Sequence, residues 1–213
     1  MFKSVKTIWK KIPPRGQSLV ELAIFFPIIL MMLSGLIEFG FLLNQYLNLM
    51  DGPREGARFG VDISPFLEPS DNDDIKFYSN LDPNHPGIAQ IVQQAIVPYV
   101  LNSATDDVVI TVVSIKDGAI YRRYPDDAGV TSTPGYFSLN GKYATRLTDA
   151  EIAAKLVSSA PKSGAVAVEL FYNYKQTLAL PWITIFVPDP ILLHIFAVAP
   201  LPAATPPDPT PSP

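Results

Sequence analysis

Between Arg15 and Leu43 the sequence reads RGQSLVELAIFFPIILMMLSGLIEFGFLL, and from Leu22 to Ile37 it runs for sixteen consecutive residues without a charge. Ser34 is the only polar side chain among them. At about 1.5 Å per helical residue, those sixteen residues span roughly 24 Å and the twenty-two up to Leu43 roughly 33 Å, which brackets a hydrocarbon core of about 30 Å. The stretch is expected to be one membrane span, about residues 22–43. Glu38 falls inside the longer count, so the span either ends near it or keeps it sheltered.

The flanks decide what kind of span this is. Lys3, Lys6, Lys10, Lys11 and Arg15 precede it with no acid among them, and the positive-inside bias keeps such an N-terminus in the cytoplasm. The remainder of the chain then faces outward from a single-pass cytoplasmic membrane protein. A secretory signal peptide has a shorter apolar core, of about 7 to 15 residues, followed by a small-residue cleavage site. Here the apolar core is longer, and a glycine comes before it rather than an A-x-A after it.

That glycine begins a resemblance. Gly16, Gln17 and Glu21 resemble a type IV prepilin-type processing site, in which a peptidase cuts after the glycine and the acid becomes the fifth mature residue. RGQSLVELAIFFPIILMMLSGLIEFG, followed by Pro53-Arg54-Glu55-Gly56-Ala57-Arg58, is similar to the TadE-like family of tight-adherence pilus proteins. The resemblance covers about Arg15 to Gly60. It implies a pseudopilin: an inner-membrane protein with a small outward domain, processed by a prepilin peptidase and used with the assembly machinery in building a surface pilus. Its implied partners are copies of itself or other pilin-like subunits, met through the apolar helix, with Glu21 pairing the new ammonium of Gln17 on an adjacent subunit. Glu38 is a second candidate for charge pairing in assembly. Asp51-Gly52-Pro53 departs from an unbroken helix, because proline withdraws a hydrogen-bond donor unless it lies in a first turn. The helix is expected to break or restart there.

Composition limits the rest. Five of the sixteen basic residues precede Gln17, leaving 11 against 20 acids over the remainder. An acidic outward part argues against nucleic acid as a partner. With no cysteine, neither a disulfide framework nor a thiolate metal site is available, and the outward fold rests on its core.

Gly52, Gly56 and Gly60 recur every four residues. In a helix they form one smooth face for close packing of another helix; the alternative is a connector weakened by glycine. Residues 63–86 read as a loop. Asp71 and Asp73 within it are the nearest approach to a calcium site, but an EF-hand starting at Asp71 would place Lys76 where glycine is needed and Asp82 where a bidentate glutamate is needed. A solvated acidic turn is the expected reading, with no metal and no cofactor.

Pro86 to Leu101 carries the helical period in Ile88, Ile91, Val92, Ala95, Ile96 and Tyr99, limited by Pro98. The period then becomes two through Val108–Val113, and Asp117-Gly118 predicts a hairpin joining Ile115 to Ile120. Asn140-Gly141, between Phe137 and Tyr143, suggests a smaller hairpin. Thr148 and Glu151 form a capping box ahead of a short helix containing Ile152. Val166 to Lys175 alternates as a strand with one apolar and one mixed face. Trp182–Val187 and Ile191–Val198 read as buried strands too short to cross a membrane as helices, the second alternatively as an adhesive apolar edge. Seven prolines in Pro200–Pro213 predict an extended, solvated tail.

No catalytic motif emerges. His85 lies in a proline-flanked loop, and His194 in an apolar run reads as a satisfied core histidine. There is no G-x-S-x-G, P-loop, dinucleotide glycine pattern or His-Glu-x-x-His. The expected fold is α+β: a basic leader (1–16), a long N-terminal transmembrane, pilin-like helix with its extension (17–60), an outward domain with a small, mainly antiparallel sheet and short helices (61–199), and the proline-rich tail (200–213). The expected function is structural and not enzymatic: a pilin-like subunit entering or helping to assemble a pilus, with residence in an extracellular filament as a consequence. The alternative is a monomeric, single-pass membrane-anchored module that displays an extracytoplasmic binding domain.

Overall fold

A computed structural model describes residues 17–62, 73–116, 119–125, 135–155 and 164–201. The leader, Gly16, Asp71, the Asp117-Gly118 turn, the end of the capped helix after Lys155 and the tail beyond Leu201 lie outside them.

Helix α1 runs from Gln17 to Leu49 and α2 from Asp51 to Val61. The interruption expected near Pro53 is slight. Met50 keeps helical dihedrals, φ −62° and ψ −25°, and its amide still donates to the carbonyl of Tyr46 at 3.1 Å. Pro53 falls in the first turn of α2, where a proline is tolerated because its amide is dispensable. Pro27 is also accommodated inside α1.

The domain after α2 is a sheet covered on both faces. Strands β1 (Asp107–Lys116), β2 (Ala119–Tyr124), β4 (Gly164–Tyr174) and β5 (Ile191–Leu201) are ordered β2-β1-β4-β5, and the two-residue β3 (Phe137–Ser138) pairs with β1 beside β2. All of these pairings are antiparallel. The predicted hairpin is present, with Ile115 opposite Ile120 and Lys116 opposite Ala119. Parity along the strands assigns the two faces. Val108, Ile110, Val112, Val166, Val168, Leu170, Leu193 and Ile195 join one large core with α2 and α4 (Ile88–Ala95). Val113, Ala165 and Ala167 join a smaller one with Leu147 and with Ile152 of α5 (Asp149–Lys155). Because both faces are covered, β4 is buried from Gly164 to Phe171 and its expected mixed face is interior.

Three expectations are corrected. The stretch 63–86 is not all loop: Asp73–Tyr78 forms a short helix, α3. Its Phe77 and Tyr78 are buried, and Tyr78 stacks on Phe137 with ring centroids 5.4 Å apart. Asn140-Gly141 does not join two strands. Gly141, at φ +64°, belongs to a loop that folds around the buried Asp107 carboxylate, which accepts from Ser138 Oγ at 2.6 Å and from the amides of Asn140, Lys142 and Tyr143 at 2.8–3.0 Å. Nor is Trp182–Val187 a buried strand. Pro181 opens a single helical turn, α6 (Pro181–Thr184), and the following Ile185 and Phe186 are 76% and 85% exposed. Proline's fixed φ favours the first helical position and supplies no amide to a ladder.

Candidate functional site

The longest functional surface is the apolar side of α1. From Leu19 to Leu33 its large apolar side chains stand exposed, and the window most able to cross a membrane has none of its residues buried within the chain. A soluble helix with so much exposed Ile, Leu, Phe and Met would be an aggregation hazard, so this surface must be covered by something outside the chain. Gln17 is the first residue of α1 and Glu21 lies one turn on, at an exposed position.

Past Ile37 the two sides of α1 diverge. Phe39, Phe41, Leu43 and Leu47 remain exposed, whereas Glu38, Leu42, Tyr46 and Leu49 turn towards the sheet domain. Spacings of four, four and three residues keep those four on one face. Glu38 is 5% exposed and is held by the connection that leads from β4 towards β5. Its carboxylate accepts from the Tyr174 hydroxyl at 2.6 Å and from the backbone amides of Thr177 at 2.8 Å and Leu178 at 2.7 Å. Three donors, one of them a phenol, replace the water that an ionised carboxylate would otherwise keep. Burial, then the bond to Glu38, raises the Tyr174 phenol above its ordinary value of 10.0, so it remains a donor. One turn down the helix, the Trp182 indole donates to Ser34 Oγ at 3.0 Å. The β4–β5 hairpin is thus clipped onto α1 at the two polar side chains between Leu22 and Leu43, Ser34 and Glu38. Sequence reasoning singled out both residues as exceptions in an apolar run, but not their partners, which lie about 140 positions away.

The glycines of α2 face α4 of the same chain. A Cβ on Gly52 would lie 2.6 Å from Ile96 Cγ2, one on Gly56 2.6 Å from Val92 Cγ2, and one on Gly60 2.8 Å from Ile88 Cδ1. They let α2 approach α4 of the same chain.

Glu169 was missed. It sits in β4, fully buried, and binds the Thr145 hydroxyl, the Arg146 amide at 3.0 Å and His194 Nε2 at 2.7 Å. His194 lies between Phe171 and Phe196, stacked on the first at 4.6 Å. Alternation hid Glu169, because it assigned that parity to a mixed face. His85 remains in an exposed turn, 3.4 Å from Asp82. Of the calcium candidates, Asp71 lies outside the described residues and Asp73 begins α3. Among the described residues, no group of three or more His, Asp or Glu side chains is arranged to hold a metal. Strand β5 is the last in the sheet, and its far edge has no strand beside it among the described residues.

Residues 16–58 match the family model described as TadE-like protein. The match covers α1, the Met50 junction and most of α2, and nothing of the sheet. No curated protein and no solved structure matches the chain.

Proposed function

We propose that this chain, TadE-like over residues 16–58 and so associated with tight-adherence pili, is a pilin-like structural subunit that enters a surface filament or primes its assembly through α1. The observation that carries this reading is the exposed apolar surface of α1 from Leu19 to Leu33. Lipid covers that surface before assembly and the helices of neighbouring subunits cover it afterwards. The five basic residues before Gln17 hold the N-terminus in the cytoplasm and the sheet domain outside. The role is structural rather than catalytic, and its partners are other pilin-like subunits, the inner membrane, a prepilin peptidase and the assembly machinery. Shearing filaments from the native cell and sequencing their subunits tests it. The expected result is this chain in the sheared fraction, beginning at Gln17. A chain confined to the membrane pellet would favour the monomeric anchored module instead.

Glu21 sharpens the proposal. A carboxylate at the edge of the apolar helix is tolerable in lipid, since the full bilayer-centre penalty of about 2.5–3.5 kcal/mol is only partly felt there. Within a bundle it needs a partner, and the ammonium of a cleaved Gln17 on an adjacent subunit supplies one. Glu21→Gln is expected to leave insertion and cleavage after Gly16 unchanged while sharply reducing incorporation into filaments. Incorporation at wild-type level would overturn the pairing and favour the reading in which Glu21 acts on the N-terminal end of the helix dipole, worth about 0.3–1 kcal/mol.

A further inference from the structure

The tip of the β4–β5 hairpin remains unaccounted for. It carries an apolar cluster, yet neither core covers it: Ile185 and Phe186 are among the most exposed large side chains of the domain. No charged residue occurs between Lys175 and Asp189. Its position along α1 is fixed by a direct bond, because Trp182 donates to Ser34. Ser34 lies within the uncharged run Leu22–Ile37, three residues before its last residue, about 4.5 Å of helix rise from the end of the shorter span. A loop bonded there reaches the level at which α1 itself meets lipid.

The backbone of the loop is suited to that level. The amides of Ile183 and Thr184 donate to Leu180 O at 2.8 and 3.0 Å, that of Ile185 to Pro181 O at 3.3 Å, and those of Phe186 and Val187 to Ile183 O at 3.0 and 2.9 Å. The Thr184 hydroxyl donates to Pro181 O at 3.1 Å, and Pro181 has no amide to satisfy. Five successive amides are therefore paired inside the loop, which is the condition for placing backbone where water is scarce. An ordinary surface loop leaves such groups to solvent and carries polar side chains. Trp beside a cluster of Ile and Phe, with no charge, is the composition of the boundary between headgroups and acyl chains.

We propose that residues 180–187 are a second membrane-contacting element, seated in the outer leaflet at the headgroup–acyl boundary beside α1, with Ile185 and Phe186 as its anchors. This rests on the reading of α1 as a membrane span. The occupant of the patch is lipid, because the loop is bonded at Ser34, where Leu33, Leu36 and Ile37 of α1 lie within one turn and are themselves exposed. Together with the bonds at Ser34 and Glu38, the contact fixes the tilt of the domain on the membrane before any filament forms.

The chain has no cysteine, so Phe186→Cys offers a single labelling site. The full chain carrying an environment-sensitive fluorophore there is reconstituted at low protein-to-lipid ratio into vesicles of phosphatidylcholine and phosphatidylglycerol. Nitroxide lipids, shallow or deep, then serve as quenchers. Met32→Cys on α1 reports the span. Leu81→Cys, as exposed as Phe186 and near Ile88 at the far end of α2, reports the aqueous part. The expected result is deep quenching at position 32, shallow quenching at 186 and none at 81. Quenching at 32 with position 186 behaving like 81 would overturn the proposal and leave the span intact. Absence of quenching at both 32 and 186 would overturn the span and the proposal with it. Protection of 186 that develops only as protein-to-lipid ratio rises would assign the patch to a second copy and overturn the lipid contact.

Discussion

Glu38 and Glu169 are both buried carboxylates held by hydrogen-bond donors, and they sit in opposite mechanical settings. Glu169 lies inside one body: its donors come from the 145–146 segment and from β5, and all of them belong to the packed domain. Glu38 lies between α1 and the sheet domain, with the carboxylate on α1 and its donors at the end of β4, Tyr174, and in the connection after it, Thr177 and Leu178. The same chemistry therefore secures the fold in one place and the pose of the folded domain on its anchor in the other. Substitution should separate these roles.

The largest effect is expected from Glu169→Ala. Three donors lose an acceptor that is itself fully buried, and breaking a buried pair of this kind costs about 3–5 kcal/mol. Urea unfolding of the full chain in detergent, followed by circular dichroism of the sheet, measures it. A loss under about 1 kcal/mol would mean that the orphaned donors find water, and the contrast with Glu38 would collapse.

Glu38→Ala comes next, at about 1–3 kcal/mol, and its loss should be local. Amide exchange at Thr177 and Leu178 should accelerate while the amides of β1 and β4 keep their protection. If the whole domain exchanged faster, Glu38 would be part of the core rather than a joint.

The two glutamates also mark what could be read from the sequence. Glu38 stood out because an acid in an apolar run has to be explained, and the helix was legible from length and hydropathy alone. The β1–β2 hairpin, the capping box and β4 were legible from period and turn chemistry. The pairing of β4 with β5, the burial of Glu169 and the loop around Asp107 were not, because each depends on contacts between residues 17 to 37 positions apart that no local period encodes. Trp182–Val187 misled because apolar content signals burial only when water is the sole solvent.

A smaller contrast separates the glycines. Gly56→Ala places a methyl 2.6 Å from Val92 Cγ2; Val92 is β-branched and fully buried, so it yields poorly. Overpacking of about 1–3 kcal/mol outweighs the gain in helix propensity of roughly 1 kcal/mol, and a net loss of about 1 kcal/mol is expected by thermal unfolding. Gly35 in α1 has nothing within 4 Å, so Gly35→Ala should leave the fold unchanged. A stabilised Gly56→Ala would show that α2 and α4 can move apart.

The smallest effect lies at the capping box. Thr148 Oγ1 accepts from the Glu151 amide at 3.3 Å, while Glu151 Oε2 accepts from the Thr148 amide at 2.8 Å. The reciprocal bonds satisfy two amides that the start of α5 would otherwise leave to water. Thr148→Ala should lose about 0.5–2 kcal/mol, towards the lower end because the site is exposed. The Thr148 amide, followed by its hydroxyl, holds the Glu151 carboxyl below its ordinary value of 4.5. A carboxyl lowered in the folded state contributes stability that is whole above 4.5 and fades as pH falls through the lowered value. The difference in stability between wild type and Glu151→Gln should accordingly be constant at neutral pH and shrink below pH 4.5. A difference that persisted unchanged well below that range would mean that Glu151 supports α5 through packing alone, since a protonated carboxyl no longer offers a charged acceptor to the amide.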